Sequence, residues 1–233
     1  MRLIDKTTVR AFQIYCFFLI FFSQLCVAQE NDFEFWTGIQ VEKELFKDFS
    51  ISFEEELRLN ENATSISSIF TQLGVSYKIH KYLNVGVAYR FVSVQNRYEY
   101  FDTKNRYQVD LGTRKKINKK ITLKARTRIQ QSFTNALNNE FKEPETSKWA
   151  WRNKATFDYR PKKDYTFATS IETYNRLNDS EGNYFQKLRI TQALDYRINK
   201  KMDLTIFYRF EREFNANLPG QNSIVGLFYK VEI

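Results

Sequence analysis

The stretch IFTQLGVSYKIHKYLNVGVAYRF (Ile69–Phe91) decides the fold. Ile69, Thr71, Leu73, Val75, Tyr77 and Ile79 share one parity, His80-Lys81 breaks the run, and Leu83, Val85, Val87, Tyr89 and Phe91 resume it. Asn84, Gly86, Ala88 and Arg90 hold the opposite parity of the second arm. Successive side chains of a strand point to opposite faces, so this alternation predicts a hairpin with one apolar face.

The same device runs both ways along the chain. Upstream, Phe33, Phe35, Thr37, Ile39 and Val41 alternate with Glu34, Trp36, Gly38, Gln40 and Glu42, and Phe49, Ile51, Phe53, Leu57 and Leu59 follow beyond Lys47-Asp48. Downstream, the pattern returns in Tyr107–Leu111, Ile121–Ile129, Trp149–Tyr159, Tyr165–Ile171, Leu188–Ile198, Leu204–Phe210 and Val225–Ile233. The runs span roughly 10 to 14 residues, against about 5–6 for strands of soluble proteins and about 9–11 for a tilted strand crossing hydrocarbon. Short connections are expected near 47, 81, 117, 162 and 200, and longer ones near 61–66, 95–104, 134–147, 178–183 and 215–221. Alternating short and long connections are the habit of outer-membrane barrels. The predicted fold is therefore all-β: an antiparallel transmembrane β-barrel of about 10–12 strands. Counting the runs gives eleven, although bacterial single-chain barrels prefer even numbers. A first run that is not a full strand, a hidden twelfth strand, or parallel closure between the first and last strands would each reconcile the count. Glu55 falls on the apolar parity, where a bulge or a position near the rim would accommodate it.

Composition agrees with strands. Phe (22) and Tyr (14) are abundant, while Gly (7), Pro (3) and His (1) are scarce. Aromatic and β-branched side chains suit a pleated, half-buried surface. With 27% of residues charged there is no bundle of transmembrane helices, a test that β-barrels escape because alternate residues face a polar interior. Residues 1–28 form a predicted cleavable signal peptide: Arg2, Lys6 and Arg10 lead into an apolar stretch from Ala11 to Val27, and Cys26-Val27-Ala28 offers a cleavage site before Gln29. The competing readings are an uncleaved anchor and a lipoprotein acylated at Cys26, the latter opposed by Leu25 where a small residue is usual. The barrel domain is then 29–233. Both cysteines, Cys16 and Cys26, leave with the leader, so the exported chain has no disulfide or thiolate chemistry. Losing Arg2, Lys6, Arg10 and Asp5 lowers the net charge from +9 to +7. A basic chain suits nucleic acid, but export removes that partner. Outer-membrane lipid and small anionic solutes are the expected counterparts.

Asp32-Phe33-Glu34-Phe35-Trp36-Thr37-Gly38, the run Val41–Leu45, the cluster Glu54-Glu55-Glu56-Leu57-Arg58 and the hairpin from Leu73–Lys78 to Val87–Phe91 resemble the domain of unknown function 2490 family. The likeness covers about 29–233, and its motifs are most specific in the N-terminal third. The resemblance implies a short exported protein of Bacteroidota, an uncharacterised outer-membrane barrel, and no established activity, so no functional residue is carried over. One departure from barrel habit is the final Ile233 in place of an aromatic residue.

Parity places Glu42, Glu54, Glu56, Arg58, Arg90, Lys124, Arg126, Arg128, Arg152 and Lys154 among the candidate lumen-lining residues. Opposite charges in a narrow barrel are expected to form an ion-pair network that fills it. The basic ladder on the middle strands also suits a porin-like route for anions. The expected function is thus a non-enzymatic outer-membrane barrel, structural or narrowly porin-like, without a cofactor. The alternatives are a barrel enzyme acting on lipid or glycan through lumen carboxylates, and a secreted soluble carbohydrate-binding β-protein. His80, in a predicted short turn, has no evident nucleophile beside it. Phe33, Phe35, Phe49, Tyr82, Trp149, Trp151, Tyr159, Tyr165 and Tyr196 are candidates for interfacial girdles, and the polar segment Asn138–Lys148 for an extracellular loop.

Overall fold

The computed structural model describes residues 31–95, 100–135, 147–180, 182–215 and 219–233. The predicted leader and most of the predicted loop Asn138–Lys148 lie outside the described residues. Among the described residues, eleven strands make one closed barrel: β1 (Asn31–Phe46), β2 (Phe49–Asn60), β3 (Ser65–His80), β4 (Leu83–Gln95), β5 (Phe101–Lys116), β6 (Ile121–Asn135), β7 (Lys148–Lys162), β8 (Tyr165–Asp179), β9 (Gly182–Arg197), β10 (Met202–Glu213) and β11 (Gln221–Glu232).

Sequential neighbours pair antiparallel, as hairpins require, and the barrel closes where β1 runs parallel to β11, from Asn31↔Gln221 to Glu42↔Glu232. An odd strand number makes this parallel seam unavoidable. The first run is a full strand, and parallel closure is the resolution of the eleven-strand count.

The strands alternate as the pattern demands. In β3, Ile69, Leu73, Val75, Tyr77 and Ile79 face outward and are exposed, whereas Ser68 and Phe70 on the other parity are buried. The apolar parity forms the outer belt, and the mostly polar parity faces the lumen. The proposed girdle aromatics stand on or beside that belt. Tyr165 and Tyr196 meet at a tilt across β8 and β9 with centroids 5.1 Å apart, and Phe46 and Phe49 stack beside the first short turn at 4.7 Å.

Three expectations are corrected. The connection near 61–66 is a tight turn over residues 61–64, and β9 begins at Gly182, three positions after β8 ends at Asp179. Glu61, Asn62 and Ala63 are all left-handed (φ 52°, 59° and 65°), which compresses the turn. The Asp32 carboxylate accepts the Glu61 and Asn62 N–H groups at 3.1 and 3.0 Å, satisfying donors that a longer loop would leave to water. Glu55 meets neither accommodation offered for it. Its pairing with Ile39 and Thr71 runs without a bulge, and those partners lie midway along β1 and β3. It stays on the outward parity, where the Thr71 hydroxyl donates to its carboxylate at 2.6 Å.

Candidate functional site in the lumen

The inward parity divides the lumen into two unlike walls. On one side, β1, β10 and β11 bring Trp36, Phe207, Ile224 and Phe228 together, with Ala193 of β9 packed against them. Backbone geometry makes this possible. Phe207, Gly226 and Trp36 share one cross-strand row, and an added Cβ at Gly226 would overlap the Phe207 ring. One step along, Phe228 lies over Gly38 in the same way. Trp36 is 4% exposed, Phe70 of β3 1% and Ile224 0%, so the mid-lumen is filled with side chains.

Arginines stack on these rings. The Arg58 guanidinium lies 3.7 Å from the Trp36 ring centroid, with Arg209 at 4.9 Å. Arg90 covers Phe70 at 3.5 Å, and Arg152 and Arg189 flank Tyr174 at 4.1 and 4.6 Å. A guanidinium facing an aromatic quadrupole keeps its plane free for further hydrogen bonds, so Arg58, Arg90, Arg152 and Arg189 join ring to carboxylate, while Arg209 donates to the Thr191 hydroxyl at 3.0 Å.

The carboxylates are held accordingly. Glu56 accepts from Arg58 Nε at 2.5 Å; Glu54 stands 3.7 Å from Arg90 and accepts from Gln72 at 3.0 Å. Glu34 accepts from Trp36 Nε1 at 2.6 Å, and Glu211 binds Lys187 and Arg189. Asp110 takes Arg128 bidentately at 2.5 and 2.6 Å, a fork geometry that fixes both groups. Glu172 Oε1 receives both Arg126 and Arg152, at 2.5 and 2.9 Å.

The ten residues singled out from parity stand as follows. Glu54, Glu56, Arg58 and Arg90 meet on β2 to β4, next to the aromatic wall. Arg126, Arg128 and Arg152 make the ion pairs just given on β6 and β7, and Lys154 is the cross-strand partner of both Arg126 and Glu172. Lys124 pairs with Asp158 at 2.5 Å, and Glu42 with Lys230 at 2.6 Å, both nearer the short-turn end.

Sequence reasoning missed the aromatic wall. Its signal was legible: Trp36 and Phe70 occupy the otherwise polar parity of their strands, and Gly38 and Gly226 on that parity leave room for rings. Arg189, Arg209, Glu172, Glu211 and Tyr174 were also missed.

Toward the short-turn end the lumen widens into a vestibule of about 840 Å³. Glu42, Glu44 and Glu232 stand among its lining residues with Lys78, Arg114, Lys124 and Arg126. His80, the last residue of β3, is exposed at its rim with its ring against Tyr82.

Fold and lumen together define a closed eleven-stranded β-barrel, apolar outside, plugged inside by stacked arginines and aromatic rings. The chain belongs to the family described as Protein of unknown function (DUF2490), whose profile matches residues 33–222. No curated protein matches the sequence. Among solved structures, it is similar to the NanC porin, at 14% identity, covering 77% of this chain and 86% of that one with a TM-score of 0.47. It is also similar to the β domain of the Bordetella autotransporter BrkA (7% identity, 77% and 82% covered, TM-score 0.49) and to the translocator domain of the autotransporter NalP from Neisseria meningitidis (8% identity, 77% and 73% covered, TM-score 0.48).

Proposed function

We propose that this protein is a non-enzymatic barrel of the bacterial outer membrane. In this reading its lumen is closed at mid-height by the arginine–aromatic plug, and its vestibule opens to the periplasm and favours small anions. The observation that carries the reading is the burial of Trp36, Phe70 and Ile224 on the lumen side of a barrel whose other face is apolar. An apolar belt of membrane-crossing strands supports the lipid setting, since a soluble barrel would have to solvate it. Short turns at the vestibule end support a periplasmic opening, because outer-membrane barrels keep their short turns there. Glu54 and Glu56, the carboxylates that a catalytic reading needs, are engaged by Arg90 and Arg58, which supports a structural or filtering role.

Planar-bilayer recording tests this. The parent protein is expected to show no steady conductance above background. A Trp36→Ala/Phe70→Ala double variant is expected to conduct with anion preference, and adding Arg126→Ala/Arg128→Ala is expected to abolish that preference. A large steady conductance in the parent would overturn the closed lumen. Recovery of the protein in solution without detergent would overturn the membrane setting.

A further inference from the structure

The basic wall is not electrically balanced. At the level where the plug meets the vestibule, Arg126, Arg128, Arg152 and Lys154 face the carboxylates of Asp110 and Glu172. Arg128 engages both oxygens of Asp110 through two hydrogen bonds. Glu172 is left to serve three cations, and a single oxygen of it takes both guanidiniums. Among the described residues, the Nε atoms of Arg126 and Arg152 are buried with no acceptor, and no carboxylate stands within ion-pair distance of Lys154. Buried donors of charged groups are ordinarily satisfied, because leaving one unpaired forfeits its hydration without return. Here two orphaned donors and one ammonium group belong to residues of a single cross-strand cluster.

We infer that Arg126, Arg152 and Lys154 form a binding site for one small oxyanion, a carboxylate or phosphate group of a solute entering from the vestibule. The chemistry of the donors selects this class: a carboxylate or phosphate presents acceptor oxygens to guanidinium N–H groups and a charge to the ammonium. Of the three, Arg126 lines the vestibule beside Lys124 and marks the side from which the solute would enter. Glu172 becomes the positioning residue that holds both arginines side by side, and Tyr174, whose hydroxyl donates to its other oxygen at 3.3 Å, braces it. The inference uses the vestibule as its entrance but does not depend on whether the barrel conducts, so equilibrium binding tests it separately from electrical recording.

The test is a titration of the purified full-length barrel in detergent with inorganic phosphate and, separately, acetate, read by calorimetry. Saturable binding of at least one of the two is expected. Lys154→Gln should weaken it about tenfold, the loss of one charge-assisted hydrogen bond, while Lys163→Gln in the exposed β7–β8 turn should leave it unchanged. Heat-modifiable gel mobility reports whether each variant is folded, and Lys154→Arg is expected to retain binding. No saturable binding of either anion to the parent overturns the site, as does equal weakening by Lys154→Gln and Lys163→Gln. Repeating the titration in nanodiscs of phosphatidylglycerol separates solute from lipid: undiminished affinity supports a lumenal site, and competition by the lipid phosphate overturns it.

Discussion

Gly226 faces the Phe207 ring so closely that any side chain there must displace it. Because Phe207, Trp36 and Ile224 form one packed cluster, the displacement would propagate across β10, β11 and β1. Overfilling a packed interior typically costs about 1–3 kcal/mol, through forced rotamers and backbone shifts. Gly226→Val is therefore expected to destabilise the barrel by about that amount, seen as a lower urea midpoint with an unchanged slope in detergent. An unaltered midpoint would mean that Phe207 has free space beside it. Glu55 belongs to the same scale. An acidic side chain midway up the outward parity finds only a threonine hydroxyl among its described partners, and nothing else in the structure explains its retention there.

Strands were legible in the sequence because the period of two is a direct print of the pleat. The five short turns were found for the same reason, as Lys- and Asn-rich breaks between runs of opposite direction. The 61–64 turn was read as a longer loop because its stabilisation is non-local. Asp32, at the start of β1, supplies the acceptor for two N–H groups of a turn between β2 and β3. No window of sequence around residue 61 contains that information. Asp32→Ala is expected to cost about 1 kcal/mol, the net worth of such hydrogen bonds, and to raise amide exchange at Glu61 and Asn62. Unchanged exchange at those two amides would show that the turn stands by itself. The lumen was legible by parity but not by partner: which arginine meets which carboxylate depends on stagger between strands, which alternation alone leaves free. Trp36 and Phe70 broke the polar parity in plain view, yet an aromatic residue among charges becomes interpretable only when Arg58 and Arg90 are seen stacked on them.

At the scale of the whole molecule, the barrel is one continuous ladder whose two ends differ. One side of its interior is built on aromatic rings that carry stacked arginines, the other is lined with cations, and the vestibule meets the cationic side at Lys124 and Arg126. A barrel with an even number of strands returns both of its chain ends to the same side. The parallel pairing of β1 with β11 forbids that here: Asn31 and Ile233 lie at opposite mouths, and β1 begins at the mouth away from the short turns. If those turns face the periplasm, the amino end of the barrel is carried to the outside of the cell. A peptide epitope inserted just ahead of Asn31 should then bind antibody on intact cells, and one fused after Ile233 only once the envelope is permeabilised. The reverse labelling would invert the barrel in its membrane, and with it the side from which an anion could enter.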